Sequence, residues 1–212
     1  MRAYLLIIGR FLVVYLPTFA IIGAFRMSIA RTVPVVIILT FALASVLMLI
    51  AARGNGPSMT AFGFRRSPPR FVAYSIALGA PLGLVAALLL NQFREPGPLA
   101  GLDIAPWLAF VYFGLAAPVQ EEAIFRGLLQ TGLAADLIAA DRTSATANRI
   151  AVLVVAFLFA ATHLFVGPLT AGCATVLGLL AGELRWRSES LFPAVCCHSL
   201  FNLAGLFIAL PK

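Results

Sequence analysis

Apolar runs of about twenty residues follow one another along almost the whole chain, separated only by short polar stretches. A run of that length crosses the hydrocarbon of a bilayer as a helix. Inside a bilayer every backbone N–H and C=O must find its partner within the protein, which leaves only helices or closed barrels. The runs here are continuous rather than alternating, so they read as helices. They lie at about Tyr4 to Phe25, Pro34 to Ala52, Phe71 to Leu90, Pro106 to Ala134, Ile150 to Phe165, Leu169 to Leu184 and Leu191 to Leu210. The expected fold is therefore all-α, a polytopic transmembrane helix bundle with about seven spanning helices. The short fifth and sixth runs leave room for six to eight.

Composition excludes the main alternative. Of 212 residues, 62% are hydrophobic and 11% charged, with a mean hydropathy of +1.02, far from any soluble domain of this size. The net charge of +7 would point to nucleic acid in a soluble chain. Here most arginines fall between apolar runs, so they read as topology signals and contacts with membrane lipid, and no nucleic-acid partner is expected. With the N-terminus in the cytoplasm, that side holds Arg2, Arg53, Arg65, Arg66, Arg70, Arg142, Arg149, Arg185 and Arg187, against Arg26, Arg31, Arg94 and Lys212 outside. The first run reads as an uncleaved helix, because Arg10 interrupts it and no A-x-A site follows. Cys173, Cys196 and Cys197 lie in apolar segments and read as small buried residues. Ala174, Gly178 and Gly182 stand four apart, a ridge on which another helix can pack closely. Asp136 to Arg149 is a polar link, read as a short surface helix.

Against that background three charges stand out in the fourth run, Glu121, Glu122 and Arg126. Ionisable residues inside a membrane are costly and usually functional. Glu122 and Arg126 are four apart, hence on one helix face and able to pair. Glu121 lies about 100° away, with Phe125 where a cation would have to be. One glutamate is thus held and the other free to act as a base. The two histidines of the chain, His163 and His198, fall in the fifth and seventh runs, and Asn202 shares a face with His198. Taken singly, an intramembrane histidine is more often a packing residue and an asparagine more often a link between helices. Their concentration with the acids in three helices points instead to one polar cluster, with depths that differ by roughly 10 Å before helix tilt.

Two glutamates, two histidines and an asparagine permit three chemistries. Glu121 with His163 can activate water while His198 and Asn202 donate to an oxyanion. Histidine and glutamate can hold a metal for hydrolysis, although no His-Glu-x-x-His is present. The same groups can relay a proton or ion in a transporter, a reading weakened by the lack of internal repeats. Cys197 and His198 diverge on a helix, which disfavours a cysteine nucleophile.

The ordered set Glu121-Glu122-Ala123-Ile124-Phe125-Arg126, Phe159-Ala160-Ala161-Thr162-His163 and His198-Ser199-Leu200-Phe201-Asn202 resembles the CPBP family. These are the CAAX-protease and bacteriocin-processing intramembrane proteases, also called Abi proteins, related to the type II CAAX prenyl endopeptidases. The resemblance runs from about Trp107 to Leu210. It divides the chain into N-terminal membrane helices with a basic loop, 1–104, and a CPBP-like catalytic bundle, 105–212. It implies an intramembrane endopeptidase acting on a peptide or protein substrate, with Glu121 as general base aided by His163. Glu122 and Arg126 would be an orienting pair, His198 and Asn202 the oxyanion donors, and Phe159 a wall of the substrate pocket. The family has been described both as metalloproteases and as metal-free glutamate proteases. A pair poised for water activation makes a metal unnecessary, so no cofactor is expected. A divalent metal such as zinc, if bound, would lie on Glu121, His163 and His198. Fourteen arginines against one lysine suit a GC-rich genome, and the expected location is a bacterial inner membrane. The alternative is a non-catalytic immunity or partner protein of the same fold.

Overall fold

The computed structural model describes residues 1–25, 29–54, 57–95 and 105–209, and among them the protein is seven helices without a strand. They are α1 (Arg2–Phe25), α2 (Ile29–Arg53), α3 (Pro69–Gln92), α4 (Pro106–Ile138), α5 (Ser144–Ala161), α6 (Pro168–Ser188) and α7 (Leu191–Ala209). Six of them, all but α6, are long and apolar enough to cross a membrane. The chain is an integral membrane helix bundle, in which the helices present Leu, Ile, Val and Phe outward and close on a core that mixes Ala with Leu, Ile, Val and aromatic residues.

The helix that falls short of the expected seven is α6, because Glu183, Arg185 and Arg187 occupy its last turns. Direction nevertheless carries it across the bundle. Ser75 Oγ donates to the Pro193 carbonyl at 2.7 Å, a Cβ on Gly79 would lie 3.0 Å from Cys197 Cα, and one on Gly83 would lie 2.8 Å from Phe201 Cα. Each step is four residues on both helices, so α3 and α7 run parallel in fixed register. Parallel α3 and α7 need α4, α5 and α6 each to traverse the bundle between them. The ridge that makes this contact, Ser75, Gly79 and Gly83, has no side chain larger than a hydroxymethyl, which lets the backbones meet. The second ridge, Ala174, Gly178 and Gly182, packs on α5, with Gly178 against Ala156 and Gly182 against Val152.

Two boundaries differ from the sequence reading. The polar link forms no helix of its own. Asp136 belongs to α4, where Arg10 of α1 holds it at 2.7 Å, and Ser144 already opens α5, capped by the Thr143 hydroxyl on the Thr146 amide. His163 lies not within α5 but in the turn that follows it. The Thr162 hydroxyl and the His163 ring both take the Phe159 carbonyl, in competition with the helix, and Gly167-Pro168 then opens α6. Of the charges placed on the outer side, Arg26, the Arg31 side chain and Lys212 lie outside the described residues, as does Leu210 at the end of the seventh run.

The basic loop 57–68 folds against the α6–α7 turn. Arg65 pairs with Glu189 at 2.6 Å, the Ser190 hydroxyl donates to the Arg65 carbonyl, and Leu191 N–H to the Gly63 carbonyl. At the opposite end Glu95, just past α3, accepts from the Leu169 and Thr170 amides and the Thr170 hydroxyl, capping α6. Gly167 is required there, since a Cβ would collide with that carboxylate.

Candidate active site

The glutamates sit in an unusual part of α4. Residues Phe110–Ala116 and Ala123–Gln130 are π-helical, and only Ala117–Glu122 between them is α-helical. Widened turns of this kind concentrate at functional sites. Proline supplies a local cause. Ala117 N–H pairs with the Tyr112 carbonyl five residues back, but Pro118 has no N–H to offer the next carbonyl, that of Phe113. Asn202 of α7 replaces it, Nδ2 to Phe113 O at 2.7 Å. In the second π stretch the Thr131 hydroxyl takes the Arg126 carbonyl at 3.1 Å.

Glu122 and Arg126 form the expected pair. Arg126 Nη1 is 3.1 Å from Glu122 Oε1, off the line of a hydrogen bond but within ion-pair reach, and both side chains are fully buried. Arg126 has two further supports. Nη2 donates to the Gly178 carbonyl of α6 at 3.1 Å, and the guanidinium lies 4.7 Å from the centre of the Phe159 ring. A charge pair removed from water needs such additional partners to persist.

His198 joins the two glutamates. Its Nδ1 is 2.8 Å from Glu122 Oε1 and its Nε2 3.7 Å from Glu121 Oε2. An ionised carboxylate only accepts, so Nδ1 carries a proton toward Glu122. Glu121 alone of the four keeps part of its side chain open, 22% against 3% for His198 and none for Glu122 and Arg126. The cross-helix partner nearest Glu121 is thus His198. His163 lies against Phe159, ring centres 4.7 Å apart, with Nδ1 on that residue's own carbonyl, and no ion pair joins it to Glu121. Phe159, 1% exposed, stands between both histidines and touches Phe125 edge-on, so one ring fixes the spacing of the cluster.

Residues 103–204 match the family model described as Rce1-like, type II CAAX prenyl endopeptidase Rce1-like. Over these residues, 102 of 212, the chain is similar to the type II CAAX prenyl endopeptidases. No curated protein and no solved structure matches it. The matched segment contains Glu121, Glu122, Arg126, Phe159, His163, His198 and Asn202. The three helices before it complete the surroundings. Thr40 of α2 accepts from Gln120 at 2.8 Å, and the α3 ridge presses α7 into place. The donor set Glu121, His163 and His198 does not converge as metal ligands. Among the described residues no three His, Cys, Asp or Glu side chains do.

Sequence reasoning missed four links: Gln120–Thr40, Arg10–Asp136, Glu95 on α6, and His198 on Glu122. Of the residues concerned, Arg10 and the pair Glu122 and His198 stood out in the sequence as polar groups inside apolar runs. All four links join residues at least 74 positions apart, so no local pattern encodes which side chains meet.

Proposed function

We propose that this CAAX-protease relative is an intramembrane endopeptidase in which Glu121 activates water. The observation that carries the reading is the division of labour around His198. Glu122 is committed to Arg126 and His198, whereas Glu121 is partly open and faces His198 Nε2 across 3.7 Å. A charge count supports the same arrangement. Two carboxylates and one guanidinium leave a single negative charge in an apolar site, and a doubly protonated His198 neutralises it.

In this reading Glu121 takes a proton from water as the hydroxyl adds to the peptide carbonyl. The developing oxyanion receives N–H bonds from His198 Nε2 and from the Asn202 Nδ2 hydrogen not used on Phe113. Glu121 then returns its proton to the departing amine, so proton and electron pair balance and a free carboxyl and amine result. Phe159 walls the cluster and holds the His198 ring edge-on. His163, with a carbonyl on Nδ1, presents Nε2 as a positioning contact for substrate. The substrate class is a peptide held at the membrane, whose scissile bond enters the side of the cluster that Glu121 leaves open.

The test is N-terminal profiling of membranes that contain the wild-type protein or Glu121→Gln. An uncleaved precursor should accumulate with the variant. Identical termini from both, with both proteins folded, would overturn the reading. Activity that survives exhaustive chelation, in protein free of metal by elemental analysis, is expected from this chemistry. Loss on chelation with recovery on zinc would contradict it.

A further inference from the structure

Helix α1 lies outside the segment that matches the family, yet it places a polar side chain beside the glutamates. α1 and α4 run antiparallel, with Arg10 on Asp136 at 2.7 Å and the Tyr15 ring centre 6.3 Å from that of Phe125. Phe125 in turn touches Phe159, the ring that spaces the two histidines.

Tyrosine in a membrane helix ordinarily marks the interface, with its hydroxyl in water. Tyr15 does not. It stands near the middle of α1, is 9% exposed, and packs against Phe11, Phe19 and Phe125. A hydroxyl buried there is costly unless it is bonded. Phenylalanine would fill the same space without that cost, as it does one turn away on either side, at Phe11 and Phe19. The Tyr15 hydroxyl is bonded to the Gln120 side chain and lies in electrostatic contact with the Glu121 carboxylate.

The direction of the protons along this link is set at its far end. The Val36 carbonyl can only accept, so the Thr40 hydroxyl commits its proton there, at 2.6 Å. Thr40 Oγ1 therefore accepts, and Gln120 Nε2 donates to it at 2.8 Å.

We propose that Tyr15 positions the water that Glu121 activates. Gln120, with Nε2 on Thr40, presents Oε1 to the Tyr15 O–H. The phenolic oxygen is then left as an acceptor toward the open side of Glu121. The water gives one hydrogen to Glu121 and the other to Tyr15, and its lone pair is free for the peptide carbonyl. A proton pointed in from Tyr15 would instead occupy that lone pair and weaken the nucleophile. Tyr15 keeps its own proton throughout, and Glu121 alone takes one from the water as the hydroxyl adds. This role rests on the reading of Glu121 as the base.

The test compares purified wild-type, Tyr15→Phe, Gln120→Met and double-variant proteins in liposomes. The probe is a peptide spanning the cleavage site found by N-terminal profiling. Tyr15→Phe keeps the ring and loses only the oxygen, so kcat should fall roughly tenfold at unchanged KM. Gln120→Met frees the Tyr15 proton to turn into the site and should lower kcat about as much. The double variant should be no worse than either, because the two residues act as one link. Infrared difference spectra supply an arm that needs no cleavage. Tyr15→Phe should shift the Glu121 carboxylate bands, which are identified by their loss in Glu121→Gln. Wild-type kcat in a folded Tyr15→Phe protein, additive losses in the double variant, or unshifted Glu121 bands would overturn the proposal. Shifted bands in a wild-type protein that cleaves nothing would instead overturn the reading of Glu121 as the base, and leave Tyr15 placed beside it.

Discussion

Glu121 and Glu122 are neighbours in sequence with opposite circumstances. Glu122 is fully buried, and Oε1 serves both Arg126 and His198, while Oε2 has no partner. Removing one member of a buried pair leaves the other charge uncompensated, which costs about 3–5 kcal/mol. Arg126→Met should therefore lower the unfolding midpoint by many degrees and lose activity through misfolding. Glu121→Gln keeps the size of a partly open side chain and should leave the midpoint within about a degree while cleavage falls by at least about a thousandfold. Thermal unfolding measured beside proteolysis separates the two, and a large loss of stability in Glu121→Gln would show that it too is structural. His198→Gln should fall between them, since it removes a contact to each glutamate. These residues were legible in the sequence because an ionisable group in an apolar run has few innocent explanations. The His198–Glu122 contact was not legible, because nothing local to either residue encodes which helices become neighbours.

At the scale of elements, the site depends on how α4 and α7 are held. Asn202 reaches the Phe113 carbonyl that Pro118 leaves without a donor, so the π-helical stretch and α7 fix one another. α7 is in turn set by the parallel ridge of α3. Gly79→Leu or Gly83→Leu would push branched side chains into the Cys197 and Phe201 backbone, move His198 and Asn202 away from α4, and abolish cleavage. Gly172, which meets nothing within 4 Å, is the control, and Gly172→Ala should be silent. Cleavage assays on the three variants in liposomes decide the matter, and an active Gly83→Leu would disprove the coupling. The small residues of both ridges stood in the sequence. The spacing of Ala174, Gly178 and Gly182 is legible there, whereas the contact of Ser75, Gly79 and Gly83 with α7 joins helices distant in sequence. The π-helical turns had no readable signature beyond the proline.

For the whole molecule, three helices outside the family match and four within or bordering it form one bundle, and the links between them lie at both ends. Burial alone would raise the Glu95 carboxyl, but the Thr170 amide and hydroxyl and the Leu169 amide outweigh it and hold it below the usual carboxylate range. A folded-state pKa below the unfolded value stabilises above the unfolded pKa and ceases to do so as pH falls through the folded one. The wild-type protein should therefore lose the cap on α6 only as pH falls below the ordinary carboxylate range, and Glu95→Gln should flatten that part of the stability–pH profile. A variant with the wild-type acid profile would remove Glu95 from the account. Orientation is a further expectation. If the basic loop, with Arg65 on Glu189, faces the cytoplasm as the arginine bias predicts, Ser58→Cys should react with an impermeant maleimide only after the membrane is opened. Labelling in intact cells would reverse the topology. The helical nature of the crossings followed from the length of the apolar runs, and six of the seven runs are long and apolar enough to cross. The sixth run, Leu169 to Leu184, was read as a crossing, but α6 ends in charged turns, and its traverse rests on the α3–α7 register.

The central claim is that Glu121 is the base and Glu122 its support. Purified wild-type, Glu121→Gln and Glu122→Gln proteins, reconstituted in liposomes with a peptide substrate identified from the accumulated precursor, give the most direct test. The account predicts a folded Glu121→Gln protein with no detectable cleavage and a Glu122→Gln protein that is less stable yet retains measurable turnover. Full cleavage by Glu121→Gln, or equal and complete loss in two equally stable variants, would contradict it.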